Sequence, residues 1–322
     1  MPHTAPATVT AGPAPRLITI GETMMMLTPE HAEPLATATK LSLRPGGAES
    51  NVASHAAHLG VPSAWVGVLG EDVLGHRIRT SIELHGVDVR WVMSDSHAPT
   101  GVYFKDPGHG VLYYRRDSAA SRMGPSSVAS VPLEQAEIVH LSGITPALSS
   151  SCADLVEAVF ERVAGSGASL SFDVNYRPSL WPGGAAAPTL RALANRADIV
   201  FVGLDEAQSL WDCATPEEVR AILPDTGRLI VKDGDVGATE FNAGKRVFEP
   251  AIPTEVIEAG GAGDAFAAGY LSAALRRSPT ADRLRAGHER ARLVLLSTSD
   301  FIADPSPAQS SLTWPESTHS KD

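Results

Sequence analysis

Cysteine is almost missing from this chain: Cys152 and Cys213 are the only two in 322 residues, too few for a disulfide framework and suited to a reducing compartment. Free cysteines of this kind are ordinarily buried side chains. The eleven histidines are scattered, with no His-Glu-x-x-His and no Cys-x-x-Cys, which argues against a protein-caged transition metal. No apolar run approaches the roughly 18 residues of a membrane span. No basic cluster offsets a formal net charge of −11, so nucleic acid and membrane surfaces are poor partners. Gly-x-x-x-x-Gly-Lys-Ser/Thr is absent too, which disfavours P-loop chemistry. Residues 1–15, rich in Ala, Pro and Thr, lack the basic start and apolar core of a secretory signal and read as a disordered tail. Residues 305–322 read as a second. The expectation is a cytoplasmic protein.

What is present, 43% hydrophobic and 20% charged residues, allows a sizeable core over residues 16–304. Apolar strand-like runs alternate there with helical stretches: Leu17 to Gly21, Ser63 to Leu69, Ile138 to Ser142, Ser169 to Asp173, Ile199 to Val202 and Arg228 to Lys232. This alternation predicts an α/β fold with a mainly parallel sheet. Ligands of such sheets bind beyond the carboxyl ends of the strands. Asp173 to Arg177, Gly203 to Glu206 and Lys232 to Gly237 all follow strand-like runs, so they are expected to line one cleft. Two segments, about 23–45 and 87–116, break the alternation with β-leaning pieces and turns such as Asp106-Pro107-Gly108.

Chemically the richest stretch runs from Ile257 through Gly260-Gly261-Ala262-Gly263-Asp264 to Tyr270. After the strand-like Glu255-Val256-Ile257, the glycines permit a tight turn into a small-residue helix whose first N–H groups point at one spot. Such a spot binds anions, and the helix dipole adds to its pull on a transferring phosphoryl group. Gly261, Ala262 and Gly263 would form the anion hole, with Asp264 beside it as general base. Read alone, the same letters also fit a packing corner or an N-cap aspartate.

Together with Gly46-Gly47-Ala48-Glu49-Ser50-Asn51-Val52-Ala53, which leads into a helix ending at Leu59-Gly60, this stretch resembles the two signatures of the ribokinase-like (PfkB) sugar kinases. Asp173 to Trp181, Tyr113 to Ser121 and Leu141 to Pro146 are similar to the 2-keto-3-deoxygluconate kinases of that family. The resemblance covers about Leu17 to Ile302. It implies a ribokinase-like three-layer sandwich with a mainly parallel sheet, and a small β-sheet lid made from the two irregular segments. It further implies ATP and Mg²⁺, phosphorylation of the terminal hydroxyl of 2-keto-3-deoxygluconate, and a lid able to join copies into a homodimer or a higher homo-oligomer.

By position the resemblance implies sugar contacts from Gly46, Gly47, Asn51, Tyr103, Tyr113, Arg115, Ile144, Arg177, Asp264 and Asp300. It implies nucleotide contacts from Asn175, Lys232, Gly234, Gly237, Gly261 and Gly263, and Glu206 in the outer shell of Mg²⁺. Tyr113 and Arg115 share one strand face, and two arginines, Arg115 and Arg177, converging on a cleft suit the carboxylate of a sugar acid. Read without the resemblance, the run Lys232 to Ala238 is also an ordinary strand-end turn. Two departures stand out. Gly203 replaces the usual Asn or Ser, and Glu258-Ala259-Gly260 replaces Asp-Thr-Thr or Asp-Pro-Val, which is expected to loosen the turn and lower activity. The competing readings are a fructokinase or other sugar kinase, and a weakly catalytic sugar-acid binding protein.

Overall fold

A computed structural model describes residues 14–302 apart from positions 32 and 298. Apart from Ala14 and Pro15, both expected tails lie outside the described residues. The chain begins β1 (Leu17–Ile20), β2 (Met24–Pro29), β3 (Leu41–Gly46) and α1 (Ala48–His58). It continues through β4 (Ser63–Val66), β5 (Val68–Gly70), α2 (Val73–Leu84), β6 (Met93–Asp95), β7 (Val102–Asp106) and β8 (Gly110–Tyr114). Next come β9 (Ile138–Ser142), α3 (Ser150–Val163), β10 (Ser169–Asp173), α4 (Ala186–Arg196), β11 (Ile199–Gly203), α5 (Leu204–Trp211) and α6 (Pro216–Ile222). The last elements are β12 (Arg228–Asp233), β13 (Gly237–Asn242), β14 (Lys245–Pro250), α7 (Ala262–Leu275) and α8 (Thr280–Leu295).

Eight strands form the main sheet in the order β14-β13-β12-β11-β10-β9-β1-β4, parallel from β12 to β4, with β13 and β14 added antiparallel. Alternate side chains of a strand point to opposite faces, and both faces are covered. On β11, Ile199 and Phe201 pack with Phe266 and Tyr270 of α7, whereas Val200 and Val202 join the cluster containing Leu155, Leu190 and Val219 from α3, α4 and α6. That double coverage explains why the parallel strands read as continuous apolar runs. Helices α7 and α8 pack almost backbone to backbone: a Cβ on Gly269 would lie 2.3 Å from the Ala286 carbonyl oxygen.

A second sheet of four strands, β3-β2-β7-β8, is assembled from the two irregular segments. Only 102–114 of the second segment belongs to it. Val87, Val89 and Val92 are buried with Trp65 and Ile78, and β6 pairs with β5 in a separate two-stranded sheet. Glu255-Val256-Ile257, expected as a strand, is not one. The sheet already ends at β14, so this stretch has no ladder partner. Its Ile257 N–H instead donates to the Leu295 carbonyl at 2.8 Å.

Candidate active site

The left-handed Gly261, with φ of 77°, caps α7 at its N-terminus. A Cβ there would fall 2.9 Å from the Cα of Asp300, so backbone conformation and close approach both call for glycine. The first-turn N–H groups of Gly263 and Asp264 have no intrahelical acceptors and open on the cleft, with the helix dipole behind them. Asp264 occupies the same turn and accepts a hydrogen bond on Oδ2 from Asn51 Nδ2 of α1 at 2.9 Å. It is partly accessible at the cleft, yet enclosed enough that its carboxyl is pushed up to about 7. Burial is the main cause; the Asn51 hydrogen bond and the Arg177 charge oppose it, and the charges of Asp173 and Asp300 add to it.

The cleft, of about 620 Å³, opens beyond the carboxyl ends of β10, β11 and β12, where the strand pattern places it. At its polar end Lys232 Nζ lies 3.0 Å from Asp173 Oδ2 and 3.5 Å from where a Cβ on Gly263 would stand. Burial alone would depress this ammonium, but Asp173 and Glu206 outweigh it and hold it above the usual lysine range. Asn175 has a left-handed φ of 38°, and its buried Oδ1 has no hydrogen-bond partner among the described residues. Gly234 and Gly237 turn the chain from β12 to β13 on the same wall, both with positive φ. Ile252, Pro253, Val256, Ala291 and Leu295 add apolar lining to the cleft.

Glu206 faces this cleft, but both its oxygens are engaged: Oε1 accepts from Tyr176 N–H at 2.8 Å and Oε2 from Gly203 N–H at 2.7 Å. Gly203 therefore caps α5 through its backbone, which needs no side chain at that position. Among the described residues no group of three or more His, Cys, Asp or Glu could hold a metal ion.

The other expected residues gather under the small sheet. Tyr103 is buried and donates its hydroxyl to Asp300 Oδ2 at 3.4 Å, with the Tyr113 ring 5.7 Å away. Gly46 makes room for it, since a Cβ there would sit 2.1 Å from the Tyr103 hydroxyl. Gly47 does the same for the backbone of Glu22 and Thr23. Asp300 is held by His55 Nε2, which donates to its carbonyl at 3.0 Å; His55 Nδ1 is taken by Arg290 Nε, which fixes that tautomer. Ile144 follows β9, with its N–H on Ser142 Oγ at 3.2 Å.

Arg177 lines the cleft and is exposed, but Arg115 does not stand beside it on that wall. Its guanidinium pairs with the buried carboxylate of Glu22 and lies over the Tyr113 ring, leaving Nε–H buried without a partner among the described residues.

Sequence reasoning missed three charged residues here. Lys105 bonds Asp300 Oδ1 at 2.9 Å, and its position two residues after Tyr103 on β7 was the available signal. Glu22 gave none. Glu49, beside the glycine pair, is buried with Oε1 accepting from Ser142 Oγ at 2.6 Å and Oε2 unpartnered among the described residues.

Burial, with a smaller push from the Glu22 charge, raises the Glu49 carboxyl to about 7 against the opposing Ser142 and Thr145 bonds. A folded value above the unfolded one of about 4.5 adds stability only at low pH, and the advantage is lost as pH rises through about 7. Glu49→Gln is therefore expected to raise stability at pH 8 by roughly 2 to 3 kcal/mol and to change it little at pH 4. Thermal unfolding of both proteins at the two pH values measures this. A gap of the same size at both would remove the ionisation of Glu49 as its cause.

Comparison with known proteins places the whole chain. The chain is 32% identical to 2-dehydro-3-deoxygalactonokinase of Haloferax volcanii, over 86% of this chain and 90% of that one. It is 33% identical to 2-dehydro-3-deoxygluconokinase of Bacillus subtilis, over 89% of this chain and 92% of that one. Plant fructokinases match at 28 to 30%. The crystal structure of a PfkB protein from Polaromonas sp. superposes with a TM-score of 0.81 at 32% identity, over 87% of this chain and 95% of that one. Residues 14–306 match the pattern described as pfkB family carbohydrate kinase, and with a ribokinase-like fold and a glycine-capped helix carrying Asp264, the chain belongs to that family of sugar kinases.

Proposed function

We propose that this kinase transfers the γ-phosphoryl group of ATP to the terminal hydroxyl of 2-keto-3-deoxygluconate, giving 2-keto-3-deoxy-6-phosphogluconate. Asp264 takes the hydroxyl proton as the oxygen attacks, and its carboxyl near 7 suits a base working at neutral pH. Charge building on the phosphoryl oxygens meets the first-turn N–H groups of α7 and the Lys232 ammonium. The apolar part of the cleft lining suits a nucleobase, and the unsatisfied Asn175 Oδ1 offers a further polar contact to the nucleotide. Mg²⁺ would neutralise phosphate charge when bound. Without an all-protein cage among the described residues, it would be held by phosphates and waters, with Glu206 acting through the outer shell.

The acid-sugar reading is carried by Arg115. A guanidinium pinned by Glu22 with one buried N–H unpartnered is suited to a further acceptor, which the carboxylate of the substrate would provide. Arg177 would add its charge from the cleft wall, and Gly46, Gly47, Asn51, Tyr103, Tyr113, Ile144 and Asp300 would shape the rest of the sugar site. The small sheet is the lid. Its edge strand β8 exposes Val111, Leu112, Tyr113 and Tyr114, an apolar strip suited to a second copy of the chain.

Arg177→Ala is the clean test, because Arg115→Ala would strand Glu22 as a buried charge. A hydrogen bond to a charged group is worth about 1.5 to 3 kcal/mol, so the Michaelis constant for 2-keto-3-deoxygluconate should rise roughly 10- to 150-fold, with little change for fructose. A native enzyme that phosphorylates fructose more efficiently than the acid sugar would instead be a fructokinase. Binding of the acid without ATP consumption would make it a binding protein.

A further inference from the structure

We infer that Lys105 is a latch between the small sheet and the glycine turn of the phosphoryl-transfer site, and that position 260 is glycine to make room for its ammonium. Lys105 projects from β7 with its side chain 11% exposed, and its Nζ lies 2.9 Å from Asp300 Oδ1. Tyr103, on the same face of that strand, holds Oδ2 of the same carboxylate. One strand of the small sheet thus grips both oxygens of Asp300. The backbone of Asp300 in turn packs against Gly261, the cap of α7, at a separation that excludes any side chain there. A rigid path therefore runs from the small sheet through Asp300 to the turn that would receive the phosphoryl group.

Gly260 lies beside the same ammonium. Its backbone is not in the left-handed region, so conformation does not demand glycine there. Among the neighbours of a Cβ built at 260, only Lys105 Nζ lies below 3.0 Å, at 2.8 Å; Asp300 Oδ1 and Glu258 Oε1 lie at 3.3 and 3.5 Å. Other groups stand where the missing side chain would be. Glu258 Oε1 accepts the Gly260 N–H at 3.2 Å, and the ammonium occupies the adjoining space. The Lys105–Asp300 contact is already made in this structure, so it ties the small sheet to the turn and would help keep water from the site while a sugar is held.

Lys105 acts through Asp300, so it is a positioning residue, and its test is a double-variant cycle on the full-length kinase. Gly260→Ala should lower kcat/KM for the sugar roughly tenfold or more in the native background, and by less than about twofold once Lys105→Met has removed the ammonium, because the two positions share one interaction. Lys105→Met alone should raise the Michaelis constant of the sugar more than that of ATP, as expected for a latch on the sugar side. If Lys105→Met fails to fold because Asp300 loses its partner, Lys105→Gln keeps a donor for Asp300 on a shorter stem and carries the same cycle. Equal losses from Gly260→Ala in both backgrounds would overturn the proposal, as would sugar kinetics unaltered by Lys105→Met.

Discussion

Asp264→Asn is expected to lower turnover by roughly two to four orders of magnitude while leaving the Michaelis constants nearly unchanged, since it keeps the size and the Asn51 contact but removes the proton acceptor. The pH profile gives the same residue a second signature. A base with its carboxyl pushed up to about 7 is protonated and idle below that value, so kcat/KM should fall about tenfold per pH unit on the acid side and level off above it. The Asn51 hydrogen bond pulls this carboxyl down. Asn51→Leu should therefore move the acid limb to higher pH, whereas the residual rate of Asp264→Asn should lose the limb altogether. Near-native turnover in Asp264→Asn, or an acid limb that survives in it, would take Asp264 out of the mechanism.

The sequence carried this part of the site well because the features are local. A glycine cap, the start of a small-residue helix and an aspartate in its first turn lie within four consecutive positions, 261–264. The parallel strands were legible for a related reason: a strand covered on both faces is apolar at most positions, as Ile199 to Val202 is throughout. What escaped depends on contacts between distant segments. Lys105 and Asp300 are 195 positions apart, and nothing around Gly260 in the sequence signals that a lysine from β7 fills the space beside it. The sequence therefore shows only the missing side chain, and the structure adds the ammonium that stands beside it. Arg115 shows the same limit: its strand position is as expected, but its guanidinium pairs with Glu22, 93 residues earlier, a partner that its own strand does not announce. Glu255 to Ile257 has the composition of a strand and lacks only a neighbour, a condition set by sheet order and not by its own letters.

Lys232→Met should reduce turnover by roughly 10²- to 10³-fold, the usual effect of removing one group that stabilises developing charge. The ammonium stands beside the first turn of α7, and the Asp264 charge is one of those that hold it protonated. That interaction is mutual, so without Lys232 the Asp264 carboxyl should rise further and the acid limb should shift to higher pH. The substitution has a structural cost as well. Asp173, with its side chain 4% exposed, loses its cation, and breaking such a pair from one side destabilises by about 3 to 5 kcal/mol. Stability and chemistry can be separated by adding Asp173→Asn, which removes the stranded charge. The double variant should regain most of the lost thermal stability and none of the turnover, because the phosphoryl group would still lack its cation. Lys232→Arg, which keeps the charge, should retain far more activity than Lys232→Met. Recovery of turnover in Lys232→Met/Asp173→Asn would show that Lys232 serves only to neutralise Asp173, leaving the first-turn amides of α7 as the main stabilisers of the transferring group.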